Sequence, residues 1–538
     1  MTLANRIMEF HFRRPWVLPL AIGLFLAIIG QGSRGLYEST EGRYAECARE
    51  LWASGSWLQP MLNGEPHLTK PPLTYWAIGA GTALLGNTVW GARLYLVVVF
   101  VLTVLALYVL ERALWERNTW HFGALIFAAA PFPIACANVV AIDAMLTLWT
   151  TCALACYWVA IRNGRSAPMI AMWAFLGLAV ASKGPVGLIP LLSILPVHLF
   201  MRRRNAGTNH LLAPWGLLIF ALIGCSWYVY MILHNSGLVG TWVREEILGR
   251  TLYSAHIRLS SKPIKILENY VPIFLLGLGP WLPLWAYHAR HALQWKHIRT
   301  TLDHPEKGPQ LLFLLLAVLA PFVVFSLTTS RLPLYLAPIF PPMAAGIGKG
   351  LETLCAQNIL RRVTFMRILL VLTAVLAVLK VASGYQESWK NSTALARDLR
   401  DAGLTKDCSR LVVFFREPIN GLSYHLGHRL LTVYVTQESL AGISLAEVQA
   451  RGELPPLAVV ANGDTLLQAN TQGAPARELP TGTCLIMRGK DAQLLKTVLP
   501  KLRFRCILET KSWSVIEVQQ PLKLSRSGQE TTMRIEIE

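Results

Sequence analysis

Long apolar runs separated by short polar stretches fill the chain from Trp16 to about Val381. A helix needs about 20 apolar residues to cross a bilayer, with a working range of about 17–25. Eleven segments approach that length: Trp16–Gln31, Leu94–Leu110, His121–Val140, Met145–Ile161, Met169–Ser182, Val186–Met201, Leu211–Leu233, Val271–Ala289, Leu311–Leu327, Leu332–Ile347 and Ile368–Val381. Several are short, so the pattern predicts a mainly α, polytopic transmembrane bundle of about 11–13 spans. Leu73–Gly86 is apolar but too short to cross, and reads as an interfacial or re-entrant element. Just before it, Arg43–Trp52 has helical periodicity. Tyr44, Ala48 and Leu51 share one face, Arg43, Glu46 and Glu50 another, and Thr40 is a candidate cap. The first long loop therefore predicts a helix lying on the membrane surface.

From about Gly384 the pattern changes. Leu411–Phe415, Leu430–Val435, Leu457–Ala461, Cys506–Leu508 and Trp513–Val518 read as buried strands, with helical stretches at Ser392–Ala402 and Asp491–Lys501. The expected organisation is a transmembrane domain over residues 1–383, with an outer loop at 32–93, and a small extracytoplasmic α/β domain over residues 384–538. The last residues, about Leu524–Glu538, are polar and read as frayed.

Composition removes the soluble alternative. Of 538 residues 53% are hydrophobic and 15% charged, against about 25% charged in an average globular protein. The net charge, 50 − 31 = +19, would suit nucleic acid if it formed one surface. Instead Arg13-Arg14, Arg162 and Arg165, Arg202-Arg203-Arg204 and Arg361-Arg362 lie in short stretches between apolar runs. This is the positive-inside pattern of cytoplasmic loops, and no nucleic-acid partner is expected. It places the N-terminus in the cytoplasm and the tail outside. The basic stretch Arg250–Lys265 falls outside against that bias, which suggests anionic lipid or phosphate. Of nine cysteines none forms a paired CxxC, and two among Cys408, Cys484 and Cys506 could pair in an outer tail.

A few polar residues stand out. Asp143 lies between two apolar spans, where a carboxylate is costly and marks function by default; the plainer reading is a helix N-cap. Glu41 opens the surface helix, which could also be a solvated amphipathic helix. Lys70 sits on the rigid Lys70-Pro71-Pro72 turn, and Lys183-Gly184-Pro185 and Arg331-Leu332-Pro333-Leu334-Tyr335 flank spans. Arg43, Lys70, Lys183, Arg250 and Arg331 all fall on the outer side. Singly they read as snorkelling side chains; as a cluster they suit phosphate, since Arg forks match its oxygens and Lys serves as a point charge.

Glu41–Glu50, Lys70-Pro71-Pro72-Leu73-Thr74-Tyr75-Trp76, Asp143, Lys183-Gly184-Pro185 and Arg331-Leu332-Pro333-Leu334-Tyr335, in this order, resemble the membrane glycosyltransferases of the aminoarabinose transferase and protein O-mannosyltransferase superfamily (glycosyltransferase families 39 and 83). The resemblance runs from about Trp16 to Gly350. It implies the GT-C fold, a bacterial inner-membrane location, and inverting transfer of a sugar from a polyprenyl-phosphate donor to an envelope acceptor, lipid A first and protein second. It implies that Arg43, Lys70 and Arg250 meet the lipid phosphate with Tyr335 nearby, that Lys183 and Arg331 belong to the same site, and that Glu41 and Asp143 are acidic groups of one outer cavity. The family often has Asp-Glu where this chain has Thr40-Glu41, and the aminoarabinose transferases usually have Glu where it has Thr69. No cofactor is therefore assigned. A divalent metal would have to draw on Glu65, His67, Glu245 or Glu246. The alternative class is a transporter or flippase of a lipid-linked or anionic solute, for which the two related halves common in transporters are absent from the sequence.

The charge pattern makes a topology prediction. A reporter active only in the cytoplasm, fused at Gly473, should be silent; an active one would overturn the odd number of spans.

Overall fold

A computed structural model of the chain describes residues 3–115, 120–203, 211–242, 268–289, 295–327, 332–407, 410–414, 419–428, 430–435, 459–462, 477–479, 481–489, 503–520, 522–526 and 533–537. They form two compact units. The first holds Met1–Ser33, Thr69–Ala77 and Arg93–Gly384; the second holds Arg34–Leu68, Ile78–Ala92 and Tyr385–Glu538.

Six helices among the described residues are long and apolar enough to cross a membrane: Val89–Leu114, Asp143–Asn163, Ser166–Leu188, Pro214–His234, Lys307–Leu327 and Arg362–Tyr385. They coincide with six of the eleven apolar segments. The other five segments are helical in shorter pieces, and proline and glycine explain most of the breaks. His121–Val140 is divided into Phe122–Ala128 and Pro131–Cys136, where Pro131 starts a new helix. Val271–Ala289 is divided into Val271–Leu276 and Trp281–Ala289, around Gly279 at φ +68° and Pro280. Leu332–Ile347 begins as a 3₁₀ turn over Pro333–Ile339, followed by the helix Phe340–Ala356. Val186–Met201 is a 3₁₀ turn at Gly184–Leu188 and a helix Leu191–Arg203. The first, Val17–Ile28, has 12 residues. Leu73–Leu85, with 13 residues, is likewise short of a span.

The core of the first unit is aromatic and aliphatic, with Phe122 stacked on Phe365 at 4.0 Å between ring centroids and Trp281 4.6 Å from Phe365. Between helices in lipid, close backbone approach replaces the hydrophobic driving force. Phe122–Ala128 uses it. A Cβ on Gly348 would overlap the backbone nitrogen of Gly123, and one on Gly123 would lie 2.7 Å from the Ala344 carbonyl. The first amides of this helix are orphans by geometry. Buried Glu111 accepts from Gly123 N and Ala124 N at 2.9 Å each, and Glu352 accepts from Trp120 N at 2.6 Å.

In the second unit the helix Thr40–Ser54 starts at Thr40 itself, with Ser39 at the cap position and no side-chain cap bond, so Thr40 is not the cap. Tyr44, Ala48 and Leu51 are buried, but so are Glu41, Glu46 and Glu50. The solvated amphipathic helix is thereby corrected. The hairpin Met61–Leu62/Glu65–Pro66 and the helix Asn420–Leu426 pack on it and cover its polar side. Among the described residues a six-stranded sheet runs Val459–Asn462, Leu431–Val435, Arg410–Phe414, Thr483–Arg488, Trp513–Val518, Phe504–Glu509, with Arg410–Phe414 parallel to both neighbours. Thr483–Arg488, absent from the sequence reading, is a central strand. The expected helix Asp491–Lys501 lies outside the described residues. The tail is not frayed throughout. Leu522–Arg526 pairs antiparallel with Met533–Ile537, bringing Leu524 opposite Ile535. Cys484 is disulfide-bonded and Cys506 is a free thiol, while Cys408 lies outside the described residues.

The glycine contact is testable. Gly348→Ala should cost about 1–3 kcal/mol, the scale of overpacking in a filled interior. Gly346→Ala should be near neutral, since its Cβ would meet only Leu314, at an ordinary 3.5 Å. Thermal unfolding of the purified variants in detergent distinguishes the two.

Candidate active site

Three residues distant in sequence meet in the first unit. Asp143 is the first residue of Asp143–Asn163 and is 5% exposed. Lys183 ends Ser166–Lys183, where Gly184 at φ +78° lets the chain turn into the 3₁₀ segment. Lys183 Nζ donates to Asp143 Oδ1 in a short ion pair and lies 4.0 Å from the centroid of the Tyr335 ring. Both partners' side chains are under 10% exposed (8% and 7%). A buried charge requires such a partner. Asp143 is therefore one half of a buried pair, at the positive end of a helix dipole that also favours a carboxylate. From the same helix, Ala144 and Thr147 line a small apolar pocket together with Phe100, Phe127, Phe132 and Cys136.

Lys70 is half-buried in the first unit, just before the helix Leu73–Leu85. Glu41 and Arg43 belong to the second unit. Glu41 is 2% exposed; its Oε2 accepts from Tyr37 N at 3.0 Å and pairs with Arg34 at 2.8 Å. Arg43 is half-buried, 5.4 Å from the Tyr44 ring centroid, and its Nε has no hydrogen-bond partner among the described residues. Glu65 is exposed on its hairpin and His67 is half-buried. Among the described residues no three His, Cys, Asp or Glu side chains gather as metal ligands. Arg250, Arg331, Glu245, Glu246 and the basic stretch Arg250–Lys265 lie outside the described residues.

Several engaged residues were not singled out from sequence. Arg34 pairs with Glu41. Arg49 grips Glu46 with two bonds, at 2.7 and 2.6 Å, and donates to the Gly427 carbonyl at 3.1 Å, while Glu50 accepts from Gly64 N. In the first unit Arg93 and Lys380 are buried charges. Lys380 carried a readable signal, an ionisable residue within a predicted span. Glu38, in the second unit, accepts from Gly421 N at 2.6 Å.

The family model for dolichyl-phosphate-mannose-protein mannosyltransferase matches residues 32–237. An undecaprenyl phosphate-alpha-4-amino-4-deoxy-L-arabinose arabinosyl transferase 2 from Proteus mirabilis is 30% identical over 359 residues, 64% of this chain and 62% of that protein. An undecaprenyl phosphate-alpha-4-amino-4-deoxy-L-arabinose arabinosyl transferase from Aeromonas hydrophila is 26% identical over 395 residues, 71% of this chain and 69% of that protein. The match thus spans less than two thirds of the Proteus relative. The crystal structure of ArnT from Cupriavidus metallidurans bound to undecaprenyl phosphate is similar in fold, with a TM-score of 0.67, 21% identity, and coverage of 93% of this chain and 97% of that one.

Glu38 makes stability in the second unit depend on pH. Burial, with Glu41 nearby adding to it, pushes its carboxyl from 4.5 to about 7, opposed by the Gly421 amide. A raised acid holds its proton longer in the folded state, so its contribution is fully present below about 4.5 and is lost as pH rises through about 7. Glu38→Gln should flatten the fall in unfolding temperature over that window. An unchanged slope would remove Glu38 as its source.

Proposed function

We propose that this chain belongs to the superfamily of the aminoarabinose transferases and protein mannosyltransferases and moves a sugar from a polyprenyl-phosphate donor to an envelope acceptor, lipid A first, at the outer face of the bacterial inner membrane. The observation that carries the site assignment is the Asp143–Lys183–Tyr335 cluster, where three separated motif positions converge in one buried place. The relatives' names supply the donor class. In this reading the N-terminus is cytoplasmic and the unit containing the sheet is periplasmic, as the loop charges favour.

The chemistry asks little of the protein beyond charge and position. The acceptor oxygen attacks the anomeric carbon, the bond from that carbon to the phosphate oxygen breaks, and its electron pair leaves with the phosphate. One displacement inverts the anomeric centre. The leaving phosphate needs no proton, only cations where its charge develops. Lys70 fills that role in the first unit, and the family resemblance assigns Arg43, Arg250 and Arg331 to the same task. Among the described residues the Arg43 Nε has no hydrogen-bond partner, which suits an anionic ligand. A hydroxyl acceptor must lose its proton, and Asp143 receives or orients it, with Lys183 holding the carboxylate in place. Glu41, in the second unit, is the further acidic group that the family resemblance adds to this reading.

Substitutions test the roles. Asp143→Asn keeps shape and removes charge, so transfer per folded molecule should fall by about a hundredfold or more, and the unfolding temperature should fall as well because Lys183 loses its buried partner. Glu41→Gln ranks the two carboxylates, and the base is the more damaging change. Lys70→Ala should weaken donor use, and Lys70→Arg should rescue it only in part, because a fork differs from a point charge. The readouts are transfer from a polyprenyl-phosphate sugar in vitro and mass spectrometry of lipid A and glycoproteins from cells with and without the gene. Near-normal turnover in Asp143→Asn would overturn the assignment.

A further inference from the structure

The segment that delivers Asp143, residues 137–142, runs from the end of Pro131–Cys136 to the start of Asp143–Asn163 without helix or strand of its own. It lies inside the apolar first unit, where backbone groups must be satisfied by protein. Two distant side chains hold its two ends. The Tyr95 hydroxyl accepts from Ala141 N at 3.1 Å and donates to Ala141 O at 2.9 Å. Gln31 Nε2 donates to Ala137 O at 2.9 Å.

Gln31 is itself fixed. Lys380 Nζ donates to its Oε1 at 2.9 Å and to the carbonyls of Leu26 and Ala27 at 2.7 and 3.1 Å. Arg93 donates to the Gln31 carbonyl at 2.9 Å. Tyr95, Gln31, Arg93 and Lys380 are all buried, at 5%, 0%, 0% and 6% exposure. Arg93 and Tyr95 are near neighbours on the helix Val89–Leu114, so one helical turn serves both ends of the segment.

We propose that Tyr95 and Gln31 are positioning residues that set Asp143 against Lys183 by clamping the backbone of residues 137–142. Ala141 is two residues from Asp143, so a shift there moves the carboxylate relative to Lys183 and Tyr335. A misplaced reacting group lowers the rate without weakening substrate binding elsewhere. Removing the Tyr95 hydroxyl leaves both polar groups of Ala141 without their partner, and the segment must move to find others. The inference rests on the reading that Asp143 serves the transfer reaction.

The test separates the two claims. In Tyr95→Phe, kcat should fall about tenfold, the scale of a lost buried hydrogen bond, with the donor KM held within about twofold. Gln31→Glu keeps the acceptor for Lys380 and removes the donor to Ala137, and should show the same split. A readout independent of activity is the rate at which dicyclohexylcarbodiimide modifies Asp143 in the purified full chain, followed by peptide mass spectrometry. A loosened pair should react several-fold faster in both variants. Thr373→Val, which removes a buried hydroxyl bonded within its own helix, should change neither kcat nor labelling. If Asp143→Asn stays active while Tyr95→Phe still speeds labelling, positioning stands and the catalytic reading of Asp143 falls. If Asp143→Asn is inactive while Tyr95→Phe and Gln31→Glu leave kcat and labelling unchanged, the positioning proposal is overturned. Equal losses in Tyr95→Phe and Thr373→Val would overturn it too, by showing a general packing effect.

Discussion

The constraint on which the first unit depends is that a charge or backbone amide inside it has no water to fall back on. Asp143 is tolerated because Lys183 reaches it and Tyr335 presents its ring to the same ammonium. The amides that open Phe122–Ala128 are tolerated because Glu111 reaches them from another helix. Lys380 places its three donor contacts on the Leu26 and Ala27 carbonyls and on Gln31. Each of these polar groups locks elements that are far apart in sequence. Dispersion alone holds apolar helices together less selectively, since lipid tails offer comparable contacts.

The same logic explains the broken helices. Pro131, Gly279 with Pro280, and Pro333 with Pro338 interrupt segments apolar enough to cross as single rods. Irregular backbone at that depth is sustained only where protein surrounds it. Asp143 and Tyr335 follow or sit within such irregular stretches, and Lys183 ends a helix at one. A breaker gives up regular hydrogen bonds and gains a place from which a side chain can point at another element. The second unit meets a similar demand with carboxylates. Glu41, Glu46 and Glu50 are buried on one helix, and Arg34, Arg49 and the Gly64 amide answer them.

Hydropathy and charge placement made the membrane class and the positions of the spans legible, because the cost of placing polar groups in hydrocarbon acts on each segment separately. Asp143 and Lys183 were legible as anomalies for the same reason. Trp513–Val518, rich in Trp, Val and Ile, announced itself by local composition, whereas Thr483–Arg488, whose apolar residues are Cys, Leu, Ile and Met, and the pair Leu522–Arg526/Met533–Ile537, interspersed with Lys, Arg and Glu, did not. The buried fate of Glu46 and Glu50 was equally hidden. Periodicity assigns residues to a face of a helix, but whether that face meets water depends on what packs over it, here Met61–Pro66 and Asn420–Leu426.

Sequence by itself thus determined which residues are too polar for their surroundings, since burial cost is a property of the side chain and its neighbours along the chain. Tertiary structure decided their partners. Nothing in the spacing of residues 31, 93, 95, 141 and 380 marks Gln31, Arg93, Tyr95, Ala141 and Lys380 as one hydrogen-bonded group. Hydrogen bonds and ion pairs act over about 3 Å, and only the folded chain brings such distant positions within that reach.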